Sequence, residues 1–113
     1  MAEGADRLFA WPEAVWVEEG PGLAGYAPEY AVDEETQTQF VEWGEGGRRR
    51  VIEVDQVLES TPETFAFVDR SGERWRFREL TLERYRQHVR PQTMLQPDFD
   101  SREAMLEAMR AEW

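Results

Sequence analysis

The chain has 113 residues, with 13 basic side chains against 24 acidic ones and a formal net charge of −11. That length carries one core, and 41% hydrophobic with 12% aromatic residues is too much apolar material for a disordered acidic chain. The absence of cysteine and the single histidine, His88, exclude disulfides, thiolate chemistry and most His-based zinc or triad schemes.

Residues 1–35 read as an irregular, acidic, aromatic-containing arm packed on or beside the core. Its first residues, MAEGADRLFAW, start acidic and lack an apolar run, so they read as neither a secretory signal nor a transit peptide. Pro12 to Glu19 suits a short helix opened by Pro12 and ended by Gly20. A short strand around Val15–Val17 fits the same residues. PGLAGYAPEY, residues 21–30, is rich in Pro and Gly and reads as a loop. Leu8, Phe9, Trp11, Trp16, Leu23, Tyr26 and Tyr30 in this arm need cover, from the chain's own core or from a partner.

Residues 36–91 read as an antiparallel meander plus a short helix. TQTQFVEW and RRRVIEVD flank GEGG, a four-residue hairpin connection. Val41 and Trp43 share one face, as do Ile52 and Val54. TFAFVD and RWRFREL flank RSGE as a second hairpin, with Trp75 and Phe77 alternating against Arg74, Arg76 and Arg78. Thr81 is the expected N-cap of a helix placing Leu82, Tyr85 and Val89 on one face and ending at Pro91.

Residues 92–113 read as a loop followed by an amphipathic helix over 101–112. Asp100 and Glu103 form its capping-box-like start, and Met105, Leu106, Met109 and Trp113 form its apolar face. That face is expected against the sheet or against a second copy in a homodimer. The whole is one α+β domain. Its centre is a small antiparallel sheet or partly open barrel of 4–5 strands, followed by two helices. In strand count this reading resembles a small SH3-like barrel. The expected core is Trp43, Ile52, Val54, Phe65, Phe67, Trp75, Phe77, Leu82 and Tyr85.

Charge is uneven. Residues 1–45 hold one arginine against eleven acids, residues 46–90 carry a net +2, and residues 91–113 a net −3. The acidic set Glu13, Glu18, Glu19, Glu29, Asp33, Glu34, Glu35, Glu42 and Glu45, with Trp16 as an apolar anchor, is therefore the candidate surface for a protein partner with a basic face. Spread carboxylates imitate a phosphate backbone and compete for guanidinium groups. The stripe Arg74, Arg76 and Arg78 is the rival candidate, for nucleic acid, although cross-strand carboxylates such as Glu53, Asp55, Glu73 or Glu79 would also occupy it. The net charge of −11 disfavours nucleic acid as a partner.

All basic residues are arginine, which excludes Schiff-base lysine chemistry and the phosphate-loop motif. Asp98, Asp100 and Glu103 suit helix initiation better than a metal cluster. No catalytic residue, cofactor or metal site is expected. The serines lack a nucleophile-elbow context, and no stretch approaches the roughly 18 apolar residues of a membrane span. The expected function is therefore non-enzymatic protein binding in the cytoplasm. Its specific form is inhibition of a nucleic-acid-handling protein by charge mimicry, as in phage or plasmid anti-defence proteins. A toxin-neutralising immunity protein, a small arginine-stripe barrel binding nucleic acid and a structural subunit of an assembly are the alternatives.

Overall fold

The computed structural model describes residues 8–92 and 98–112. Six antiparallel strands close into a barrel in chain order: β1 (Ala14–Glu19), β2 (Ala24–Asp33), β3 (Thr38–Glu45), β4 (Arg48–Ser60), β5 (Thr64–Asp69) and β6 (Arg74–Glu79). β1 pairs with β6 to complete the ring, with Val15 opposite Glu79 and Val17 opposite Phe77. A short helix α1 (Leu82–Arg84) continues as a π-helical turn over Tyr85–Val89 and a 3-10 turn over Arg90–Gln92. A longer helix, α2 (Arg102–Glu112), follows. Small, α+β and antiparallel is the architecture expected. The strand number is six rather than four or five, and the barrel is closed rather than partly open.

The two additional strands come from the segment read as an irregular arm. In β1 the strand alternative prevails over the helix. Val15 and Val17 point into the barrel, while Ala14 and Trp16 point outward beneath the helices. Both faces are covered, so the polar alternation that marks a half-exposed strand is missing. β2 incorporates most of the stretch read as a loop. Its pairing with β3 shifts between Tyr26 and Glu29, and Ala27 there has a φ of 53°. Pro28 therefore sits at a bulge, one of the few places where a strand tolerates it.

Gly25 serves a close approach. A Cβ at this position would lie 2.1 Å from Cδ1 of Trp43, whose ring is fully buried and meets Trp75 and Phe77 edge-on. Gly25→Ala is expected to destabilise the barrel by about 1–3 kcal/mol, the range for overpacking a filled core. Thermal melting measures this, and an unchanged midpoint would mean that the Trp43 ring moves aside freely.

The β3–β4 hairpin is tighter than the four-residue connection expected. Glu45 pairs with Arg48, and only Gly46 and Gly47, with φ of 59° and 82°, form the turn. Two successive positive φ values define the type I′ turn that matches strand twist. β4 then serves two neighbours. Its first half pairs with β3 and its second with β5, through register shifts at Val54/Gln56 and Val57/Glu59 that bend the strand around the barrel.

Two apolar clusters result. The barrel interior holds Val41, Trp43, Val54, Phe65, Phe67, Trp75 and Phe77, with Phe9 across one end and Ile52 half-buried beside them. At the opposite end the Arg50 guanidinium lies 4.9 Å from the Trp75 ring centroid and donates to the Pro21 carbonyl at 2.7 Å. The second cluster lies outside the barrel, where Leu80, Tyr85, Val89, Met105, Leu106 and Met109 cover Ala14 and Ala24, with Leu82 half-buried. The apolar face of α2 is thus covered by its own chain. The described part of that helix has no exposed large apolar side chain for the homodimer offered as the alternative, and Trp113 lies outside the described residues.

Thr81 caps α1 as expected, its hydroxyl accepting the Arg84 N–H at 3.1 Å. The cap of α2 falls one residue later than expected. The Ser101 hydroxyl accepts the Ala104 N–H at 3.2 Å, while Glu103 stays in the first turn. Asp98, in the segment ahead of α2, accepts from Arg86 of the π-helical turn at 2.8 Å. Among the described residues, no helix is long and apolar enough to cross a membrane.

Candidate functional site

The barrel separates the acidic set into two groups. Six of its nine members lie within ion-pair distance of an arginine. Glu18 pairs with Arg78, Glu19 with Arg76 at 3.8 Å and Glu45 with Arg50 at 3.0 Å. Arg49 bridges Glu42 at 3.3 Å and Glu29 at 3.9 Å, and Glu13 meets Arg110 at 3.8 Å. The cause is strand order. Closure of the ring sets β1, with Glu18 and Glu19, beside the arginine stripe of β6, and the β3–β4 hairpin sets Arg48–Arg50 opposite Trp43–Glu45, within reach of Glu42 and Glu45. Exposed pairs of this kind add only about 0–1 kcal/mol each to stability. They do cancel local charge.

The arginine stripe is correspondingly occupied. Arg76 meets Glu59 at 3.4 Å as well as Glu19. Carboxylates do occupy Arg76 and Arg78, but they come from β1 and β4 rather than from the residues named from sequence. Glu53 instead faces Arg70 at 3.6 Å, and Glu79 faces Arg102 at 3.2 Å. Arg74 is exposed and makes no ion pair with a described residue. Trp16, expected as a partner anchor, is half-buried and stacks on His88 with centroids 4.3 Å apart and planes 12° apart. Its ring is engaged within the fold because β1 turns its outer face to the helices.

The second group is the tip of the β2–β3 hairpin. Asp33, Glu34 and Glu35 are exposed and have no arginine partner among the described residues. The tip is nevertheless well formed. Asp33 Oδ1 accepts the Glu35 N–H at 2.9 Å, Gln37 takes a φ of 60°, and its N–H donates to the Asp33 carbonyl at 2.7 Å. The Gln37 amide also donates to the Glu34 carbonyl at 2.9 Å. Asp33 thereby shapes the turn, and Glu34 and Glu35 present their charge from it. On the strand leading to the tip, Tyr30 and Val32 are 37% and 45% exposed.

A cavity of about 390 Å³ opens beside this strand, at the barrel end crossed by the segment Leu8–Trp11. Sequence reasoning missed it, because it needs the arm and three strands brought together. Phe9, Trp11, Tyr30 and Phe65 form its aromatic walls. Trp11 lies 6.3 Å from Tyr30 and 5.1 Å from Phe65, between ring centroids. Leu8 and Val57 stand exposed at its margin. Its two side-chain hydroxyls are engaged, Ser60 with the Phe9 N–H at 3.3 Å and Tyr30 as donor to Gln39. Burial pushes the Tyr30 phenol up from its ordinary value, so it remains a donor at neutral pH.

Among the described residues, no group of three or more histidine or carboxylate side chains is placed to hold a metal. Comparison with protein-family models, curated proteins and solved structures gives no match to this chain.

Proposed function

We propose that the protein is a non-enzymatic binding barrel that engages a partner with a basic surface through the β2–β3 hairpin, and that it acts by competing with nucleic acid for that surface. The observation carrying this reading is the contrast within the acidic set. Carboxylates elsewhere on the first three strands are paired with arginines, whereas those at the hairpin tip have no arginine partner among the described residues and stand beside exposed Tyr30 and Val32. Unpaired charge steers association from a distance, and neighbouring apolar groups provide the contact that charge alone lacks. The site proposed is thus narrower than the surface drawn from sequence. It retains Asp33, Glu34 and Glu35 and leaves out Trp16 and the paired glutamates.

Affinity capture with the full chain, followed by kinetics on the captured protein, tests this. Glu34→Arg with Glu35→Arg is expected to slow association about tenfold and to flatten its salt dependence, with the melting temperature unchanged. The captured protein should carry a basic groove and should release nucleic acid when the barrel is added. A partner without a basic surface, or one that holds nucleic acid and the barrel together, overturns the proposal.

A further inference from the structure

We infer that the cavity beside the hairpin is a socket for one aromatic side chain of the partner, carried on an extended basic segment that also reaches the hairpin tip. This inference rests on the basic-partner reading above and adds to it what the partner must present.

The volume leaves ample room for an aromatic side chain. About 390 Å³ is more than twice the roughly 150 Å³ that accommodates benzene in an engineered protein cavity. It also falls near the lower limit of the roughly 300–1,000 Å³ typical of whole small-molecule sites. The walls argue for an apolar occupant. Phe9, Trp11, Tyr30 and Phe65 offer ring faces and edges, and only two side-chain hydroxyls join them, Ser60 accepting from the Phe9 N–H and Tyr30 donating to Gln39. A polar group inserted here would lose its hydration for, at most, the remaining capacity of those two hydroxyls.

Charge decides who carries that side chain. Tyr30 lines the cavity, and Asp33 stands three residues further along the same strand. At strand rise that is a distance of about 10 Å. An extended segment seating an aromatic ring in the cavity therefore places its third following residue near Asp33, Glu34 and Glu35, where arginine or lysine is favoured. A second copy of this chain is a poor occupant. Its net charge is −11, and its own hairpin would be repelled by the one it approached.

The probe is a synthetic glycine–serine peptide with phenylalanine three residues before a pair of arginines. It is titrated into the isotopically labelled full chain and followed by NMR. The control peptide has alanine in place of the phenylalanine. The phenylalanine peptide should bind about tenfold or more tightly, and should shift the Trp11 indole N–H and the Phe65 amide. Val57→Trp, at the cavity margin, should remove that advantage and leave the weaker charge-driven binding. Val51→Trp, also exposed on the same strand but outside the cavity, should change nothing. Glu34→Gln with Glu35→Gln should weaken both peptides alike.

Equal binding of the two peptides overturns the socket while leaving the acidic hairpin as a basic-partner site. Retained preference for phenylalanine with no dependence on Glu34 and Glu35 overturns the coupling to a basic segment and, with it, the reading on which it rests. Concentration-dependent self-association that Val57→Trp abolishes would show a second copy in the cavity and overturn the inference. The comparison of peptides on the unmodified chain stands even if Val57→Trp fails to fold.

Discussion

Phe67→Ala is expected to lower the stability of the barrel by about 3–5 kcal/mol, the range for emptying a buried aromatic site. Phe67 is fully buried, stacks parallel to Trp75 at 6.2 Å and meets Phe77 edge-on at 5.8 Å. The β5–β6 pairing sets Phe67 directly opposite Trp75, so both rings point into the same space from adjacent strands. A barrel interior cannot collapse onto the gap as a helix pair can, because each strand is held on two sides by its neighbours. Such a loss is a large part of the roughly 5–15 kcal/mol that keeps a domain folded. Urea denaturation measures it, and a midpoint equal to that of the parent would mean that Phe67 does not sit where the register places it.

Asp69→Asn is expected to cost about 2–3 kcal/mol at neutral pH, and the difference should shrink in acid. Burial alone would push the Asp69 carboxyl up. Hydrogen bonds from the Ser71 hydroxyl, the Trp75 indole and the backbone N–H groups of Glu73 and Ser71 outweigh it and hold the carboxyl at about 2, against an ordinary 3.8. All four partners are donors, at 2.7–2.9 Å. Asparagine would turn its own N–H₂ toward one of them and leave a buried donor unmet, which costs about 1–3 kcal/mol. The sign follows from the depression of the folded-state value. The carboxylate's contribution is full above the unfolded-state value near 3.8 and is lost as pH falls through about 2. That difference in titration corresponds to about 2 kcal/mol. Paired denaturation curves between pH 7 and pH 2 should therefore converge in acid, and a constant gap would assign the cost to packing instead.

The second hairpin was the most legible part of the sequence. TFAFVD and RWRFREL became β5 and β6 with the expected faces, because Arg74, Arg76 and Arg78 alternate visibly against Trp75 and Phe77. The helical spacing of Tyr85 and Val89, and of Met105 and Met109, was equally informative, and all four are buried. β1 and β2 were obscured for two different reasons. β1 is covered on both faces over Ala14–Val17, so no polar residue marks an outer side before Glu18. β2 carries Gly25 for the approach of Trp43 and Pro28 for a bulge, and both look like loop punctuation without their tertiary context. The candidate site suffered more. Composition located the negative charge in the first 45 residues, but strand order decides which carboxylates meet arginines, and strand order depends on the closure of β1 onto β6. Tyr30 looked like one aromatic among many until Trp11 and Phe65 came beside it.

Closure of the ring also limits how this molecule can be recognised. Each of the six strands has a hydrogen-bonded neighbour on both sides, but not along its whole length: β1 reaches only Ala24–Tyr26 of β2, and each half of β4 is paired with one neighbour. Recruitment by strand addition, which relies on backbone pairing and tolerates many sequences, is confined to the places where that pairing stops, such as the outer edge of β2 from Glu29 to Asp33. Elsewhere on the wall, contact with a partner falls to side chains and to the loops at the two barrel mouths. Recognition through such a surface can be dissected by single substitutions that leave the backbone untouched.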